Sequence, residues 1–177
     1  MEDRKVILYI AMSLDGYIAR ENSDISWLSV VEKTGEDYGY SKFIDNIDTV
    51  IMGRKTYEKV MSFGIEFPHK DKKCYVISRT KEGLDENVEY YSYSLENLIT
   101  CLKNTEGKNI FVDGGAEVVN ELIKINMIDE FIISIVPIFL GNGIRLFKDG
   151  RPEQMLQLID SKIFSTGLVQ VRYEKLK

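Results

Sequence analysis

The sequence predicts an α/β fold: a three-layer sandwich around a mostly parallel central sheet, with antiparallel strands at the C-terminal end. Three observations predict it. Short β-branched and aromatic runs alternate with segments of helical spacing as far as about residue 125. That alternation is how parallel strands joined by helical crossovers read. The closing strands then follow one another without a helix, which demands antiparallel neighbours. Finally, two strands end in glycine immediately before a helix, at Gly53 and at Gly114-Gly115.

The elements follow in order. Lys5 to Met12 is a near-continuous apolar run, the pattern of a strand covered on both faces. Ser13 to about Gly35 is long, polar and irregular, but it carries Trp27 and several apolar residues, so it reads as a packed lid. Glu36 to Ile47 has helical spacing, with Tyr40, Phe43, Ile44 and Ile47 on one face. A strand at 49–52 passes into a helix from Arg54 to about Met61. Strands follow at 73–77 and 88–91, then a helix at 95–102. A strand at 109–112 leads into a helix at 116–125. Asp129 to Phe139 is one long strand, and the tail from about Met155 forms two strands around Gly167. There is no linker or internal repeat, so residues 1–177 read as one domain.

Composition narrows the function. Apolar content of 44% is ordinary for a globular chain, and the net charge of −5 argues against a nucleic-acid partner. No apolar stretch approaches the ~20 residues of a membrane span. The opening Met1-Glu2-Asp3-Arg4-Lys5 runs straight into a strand, which predicts no signal peptide. Cys74 and Cys101 each lie in an apolar pattern and read as reduced core thiols of a cytoplasmic protein. His69, the only histidine, lies beside Pro68 among lysines and reads as a surface-loop residue. One histidine and two isolated cysteines give no metal site.

The two glycine junctions carry the chemistry. A glycine at a strand's end lets backbone approach a ligand closely. The helix that follows turns free N–H groups and a positive dipole end toward the same place. Arg54 and Lys55 add charge at the first junction. Neither junction matches a P-loop or a dinucleotide fingerprint, since Arg follows Gly53 and the third glycine is missing after Gly114-Gly115. Together they suggest a phosphate-rich ligand held from two sides.

Four motifs now stand in order: Ala11-Met12-Ser13-Leu14-Asp15-Gly16-Tyr17-Ile18-Ala19; Ile51-Met52-Gly53-Arg54-Lys55-Thr56-Tyr57-Glu58; Val112-Asp113-Gly114-Gly115; and Asp129-Glu130-Phe131 leading to Val136-Pro137-Ile138-Phe139-Leu140-Gly141-Asn142-Gly143. With them the chain resembles the dihydrofolate reductase-like superfamily. It is most similar to the reductase domain of the riboflavin-biosynthesis deaminase-reductases. The resemblance implies NADPH, with its pyrophosphate between two helix starts. It assigns Gly53, Arg54, Lys55 and Thr56 to one side of the cofactor and Gly114, Gly115, Ala116 and Glu117 to the other. Ser78 and Arg79 match positions near the adenosine 2′-phosphate, where a planar guanidinium suits phosphate oxygens. Ala11 and Ile18 match positions lining the nicotinamide. The chain departs from many dihydrofolate reductases in having Ala116, not a basic residue, after the glycine pair.

The implied reaction is reduction of a pyrimidine or pterin-like heterocycle, which needs a proton as well as a hydride. Two acids compete to supply it. Asp37 falls where dihydrofolate reductases place a carboxylate on the first helix, and it also reads as an acidic helix start. Asp15 lies in a turn that borders the active site of riboflavin-type reductases, and Asp-Gly is also a common turn pair. The substrate implied first is 5-amino-6-(5-phosphoribosylamino)uracil, with dihydrofolate as the alternative. A nucleotide-binding protein without catalysis is the reading from another class. The apolar C-terminal strands end the sheet and invite a homodimer.

Overall fold

The computed structural model describes residues 4–176, so the reading of Met1-Glu2-Asp3 falls outside the described residues. Strands β1 (Val6–Ser13), β3 (Ile47–Gly53), β4 (Lys73–Ile77), β6 (Glu89–Tyr91), β7 (Asn109–Gly114) and β8 (Glu130–Val136) form the parallel part of the sheet. Strands β10 (Leu156–Ile163) and β11 (Val169–Lys175) close it antiparallel, and the short β5 (Gly83–Leu84) pairs antiparallel on the opposite edge. The order is β10-β11-β8-β1-β7-β3-β4-β6-β5. In the first crossover β1 reaches β3, on the far side of β7, whereas the chain leaving β7 returns to β8 on the other flank of β1. Ligands of open α/β sheets bind beyond the strand ends at such a reversal.

Strand alternation sorts the core onto two faces. Leu8, Ile51, Ile110 and Val112 pack on helices α3 (Leu95–Lys103) and α4 (Ala116–Lys124). Val50, Met52, Val76 and Phe111 face α1 (Tyr40–Ile44) and α2 (Arg54–Met61). The expected three layers result. Glu130, buried in β8, is held by Arg172 of β11 through bonds of 2.6 and 3.0 Å. A charge this deep is tolerated because it is paired on both oxygens.

Several local expectations are corrected. The helix expected over 36–47 is a single turn and a half, because Ile47 begins β3. Tyr40, Phe43 and Ile44 still pack together, Phe43 edge-on to Phe111 at 5.0 Å. The long strand expected over 129–139 stops at Val136, before Pro137. The segment 13–35 does pack, as expected of a lid, but it contains β2 (Tyr17–Ala19), which pairs with β9 (Ile144–Arg145), and a 3₁₀ helix at Ser26–Val31. Trp27 is buried there with Val31, Val136 and Leu168.

His69 is buried, not on a surface loop. Its ring lies edge-on to Phe67 at 5.6 Å and to Phe111 at 5.9 Å, and burial pushes its pKa down to about 4. Cys74 is a core thiol, pushed up to about 12 by burial, whereas Cys101 is exposed, contrary to its apolar pattern. No helix among the described residues is long and apolar enough to cross a membrane, and they contain no acid, histidine and cysteine cluster able to hold a metal.

Candidate active site

The two glycine junctions meet. Strands β3 and β7 are hydrogen-bonded neighbours, so their C-terminal ends lie side by side. A Cβ on Gly53 would stand 3.5 Å from the Gly115 amide nitrogen and 3.4 Å from the Val118 side chain. A Cβ on Gly115 would stand 3.1 Å from the Thr56 hydroxyl. Helices α2 and α4 start here with Gly53 and Gly115 as their N-caps, and neither cap supplies a side chain. Their first N–H groups are therefore left for solvent or a ligand. Gly114 has φ +111°, a backbone that side-chain-bearing residues rarely adopt, and the Gly114-Gly115 peptide is cis.

Cations gather around this cradle. Lys148 bonds Glu117 and holds its carboxyl below the usual range, with Arg79 and Lys55 adding to the effect. Arg54 makes an exposed i,i+4 pair with Glu58 at 2.9 Å. Ser78 is buried, and its hydroxyl accepts from the Thr80 and Lys81 amides at 3.2 and 3.0 Å. It shapes the turn that leaves Arg79 exposed. Ala116 is buried at the head of α4.

The first and fourth motifs also meet. The Asp15 carboxylate accepts from the Ser13 hydroxyl at 2.6 Å and from the amides of Leu140 and Gly141 at 3.1 and 2.7 Å. Burial works to raise its pKa, but these bonds outweigh burial and hold it below the ordinary range. Leu14 donates to Ile138 and Leu146 donates to Gly16, both at 2.9 Å, which closes the same clasp. Gly143 completes it, since a Cβ there would lie 2.3 Å from the Ala19 carbonyl oxygen. Asp37 is exposed, and Ser41 and the Gly39 amide hold its pKa below the ordinary range. The structure thus gives both acids the work of anchoring turns as ionised acceptors.

The pattern reading passed over a third acid. Leu8 pairs with Val112 across β1 and β7, so Tyr9 and Asp113, one step on, project from the opposite face. Asp113 keeps partial access to solvent, yet burial alone, with no cation or hydrogen bond against it, pushes its pKa up to about 7. Its charge is felt by Tyr40 and Cys74 on that face. The available signal was an acid immediately before the glycine pair, at the end of a strand otherwise made of Ile110, Phe111 and Val112.

On the same face lies a cavity of about 470 Å³. Tyr9 and Ala11 of β1 and Ser134 and Val136 of β8 contribute to it from the sheet, and the 3₁₀ helix and the loop up to Tyr40 enclose it. Ala11 therefore lines the cavity, whereas Ile18 packs against the core on the α3/α4 side. Asp37 borders the cavity. Asp15 lies in the clasp instead.

Comparison with known proteins places the chain. Residues 4–170 match the RibD C-terminal domain family, and the chain belongs to that family. The chain is 44% identical over 172 residues to the uncharacterized protein YwjB of Bacillus subtilis, covering 97% of this chain and 98% of that one. A provisionally named riboflavin biosynthesis protein from Shewanella sp. PV-4 superposes with a TM-score of 0.90 at 29% identity, over 98% of this chain and 99% of that one. Two more distant structures show the fold alone. The deaminase and 5-amino-6-(5-phosphoribosylamino)uracil reductase of Thermotoga maritima gives 0.71 at 16% identity, over 98% of this chain and 57% of that one. Enterococcus faecalis dihydrofolate reductase complexed with NADP(H) gives 0.68 at 16%, over 98% and 97%. The fold is dihydrofolate reductase-like.

Proposed function

We propose that the whole chain acts as one NADPH-dependent reductase domain for a pyrimidine or pterin-like heterocycle. The observation that carries this is the convergence of Gly53, Thr56 and Gly115 into one cradle, with an acid just before the glycine pair on β7 whose burial raises its pKa to about 7. The cradle suits a diphosphate: glycines face each other, two helix starts lack caps, and Arg54, Lys55, Arg79 and Lys148 lie around it. NADPH, when bound, supplies a hydride.

Proton supply falls to this chain's own groups. A donor must hold its proton at working pH, and desolvation is the usual way to arrange that. Asp113 meets the condition. Asp15 and Asp37, both held ionised, do not meet it as they stand, although Asp37 borders the substrate cavity. The first substrate to test is 5-amino-6-(5-phosphoribosylamino)uracil, then dihydrofolate. The two isolated thiols suit a reducing compartment such as the cytoplasm.

The test is a fluorescence titration with NADPH followed by oxidation assays on pyrimidine and pterin substrates. Tight NADPH binding with substrate-dependent oxidation is the expected result. Binding without turnover on any of these would favour a non-catalytic nucleotide-binding protein.

A further inference from the structure

The cavity on the Tyr9 face of the sheet has a charge of its own, and it is the opposite of what a phosphorylated substrate needs. Its charged lining residues are Glu32, Glu36, Asp37 and Lys33. Lys33 is the single cation among them, and it already donates to the Ser165 hydroxyl at 2.7 Å. Three carboxylates line this cavity, Glu32 and Asp37 exposed and Glu36 half-buried, and they repel an added phosphate through a field that salt screens.

On its sheet side the cavity meets apolar Ala11 and Val136 together with an uncharged polar network on Tyr9 and Ser134. Gln170 donates to Ser134 Oγ at 3.1 Å, to Tyr9 OH at 3.2 Å and to the Tyr38 carbonyl at 3.3 Å. Tyr9 OH in turn donates to the Tyr38 carbonyl at 3.1 Å. Ser134 is 4% exposed and lines the cavity. It accepts from Gln170 but donates to no described group. A buried hydroxyl proton without an acceptor is costly, and a ring carbonyl or ring nitrogen of a ligand would relieve it. Tyr9 and Tyr40 add aromatic surface suited to a flat ring.

We infer that this cavity takes a flat, amino-substituted nitrogen heterocycle that carries no phosphate, and that it discriminates against the phosphorylated form of the same compound. Exocyclic amino groups donate toward the carboxylates, and a ring acceptor meets Ser134. The inference sharpens the reductase reading by setting an unphosphorylated heterocycle in place of the phosphorylated uracil as its substrate, and it rests on this cavity being the substrate side.

Two matched pairs test it: 7,8-dihydroneopterin against its monophosphate, and 5-amino-6-ribosylaminouracil against its 5′-phosphate. Binding is measured by calorimetry with and without NADPH. At least one unphosphorylated compound should bind ~10-fold or more tighter than its phosphate. The gap should shrink in the Glu32→Gln, Glu36→Gln double variant and at high salt. Ser134→Ala should weaken the unphosphorylated compound several-fold, which charge repulsion alone does not predict. Equal or tighter binding of both phosphates would overturn the inference, as would failure of all four compounds to bind a chain that still binds NADPH. Loss of NADPH binding alone would sink the reductase reading and leave the preference measurable without cofactor.

Discussion

The two sides of the site differ in how they are made. The cradle proposed to hold the cofactor comes from regular elements. Two strands end in glycine, two helices begin, and the spacing between residues is set by a hydrogen-bonded sheet. The cavity comes largely from the segment 28–40, which holds a 3₁₀ helix, turns and one short helix against the sheet. The first is cationic at its edges and the second acidic. Backbone geometry suits a constant partner such as a dinucleotide phosphate, because every residue except proline presents the same main-chain N–H group. Side chains on irregular segments can change without disturbing the sheet, so the substrate side is where relatives of one fold are free to diverge.

The sharpest way to break this comparison lies at the border of the two sides. Asp113→Asn should lower turnover at least ~10²-fold with little change in NADPH affinity, as expected when a general acid is lost. The wild type should lose activity as pH rises through about 7, where the donor gives up its proton. Stability carries the same signature. The folded chain holds this proton more tightly than the unfolded one, so the contribution is fully present below the ordinary carboxyl value of 3.8 and is lost as pH rises to about 7. Denaturant melts across that range should show the decline in wild type and a flatter profile in the variant. A turnover loss confined to Asp15→Asn or Asp37→Asn, with Asp113→Asn active, would return proton supply to the turn acids.

The next effect belongs to the cradle alone. Gly115→Val should abolish cofactor binding, a loss of ~10²-fold or more, because its Cβ would press on the Thr56 hydroxyl and fill the space between the helix starts. Normal binding by calorimetry in a folded variant would make the junction a structural turn. Smaller still is Arg54→Ala, expected to weaken NADPH binding by ~1–3 kcal/mol, the scale of a charged hydrogen bond. Arg54 is already shared with an exposed Glu58, so a value at the low end is expected, and an unchanged dissociation constant would remove Arg54 from the site.

The weakest expectation lies far from both sides. Strand β10 ends the sheet with Leu158, Ile159 and Ile163 exposed, and pairing with a second copy would cover that edge. Light scattering at micromolar concentration should give twice the chain mass. A monomeric mass would show that the edge strand's own charges, Asp160 and Lys162, blunt it unaided.

The sequence made the cradle legible because its signals are local: a glycine at a strand's end, helical spacing after it, and basic residues beside it. The sheet was legible for the same reason, through runs such as Ile51-Met52 and Ile110-Phe111-Val112. Contacts distant in sequence were not. Nothing local announces that Asp15 reaches the amides of Leu140 and Gly141, so it read as a candidate acid and as a turn residue alike. His69 was misread because its neighbours in sequence are lysines, whereas its neighbours in space are Phe67 and Phe111. Asp113 looked like part of a glycine motif, and only its burial at the end of β7 gives it a proton to hold.

If the cradle holds a cofactor as proposed, the close approach of Gly53 to Gly115 also governs when the chain can bind it. The two glycines belong to crossovers far apart in the chain, and they meet only after β3 and β7 have paired in the middle of the sheet. A chain with one of these strands undocked offers a dinucleotide half a grip. Cofactor present during synthesis or refolding would then favour the fully assembled sheet over every partial one, by an amount set by its concentration relative to its dissociation constant. On the proposed function, a cell short of nicotinamide dinucleotide would then hold less of this protein as well as less of its activity.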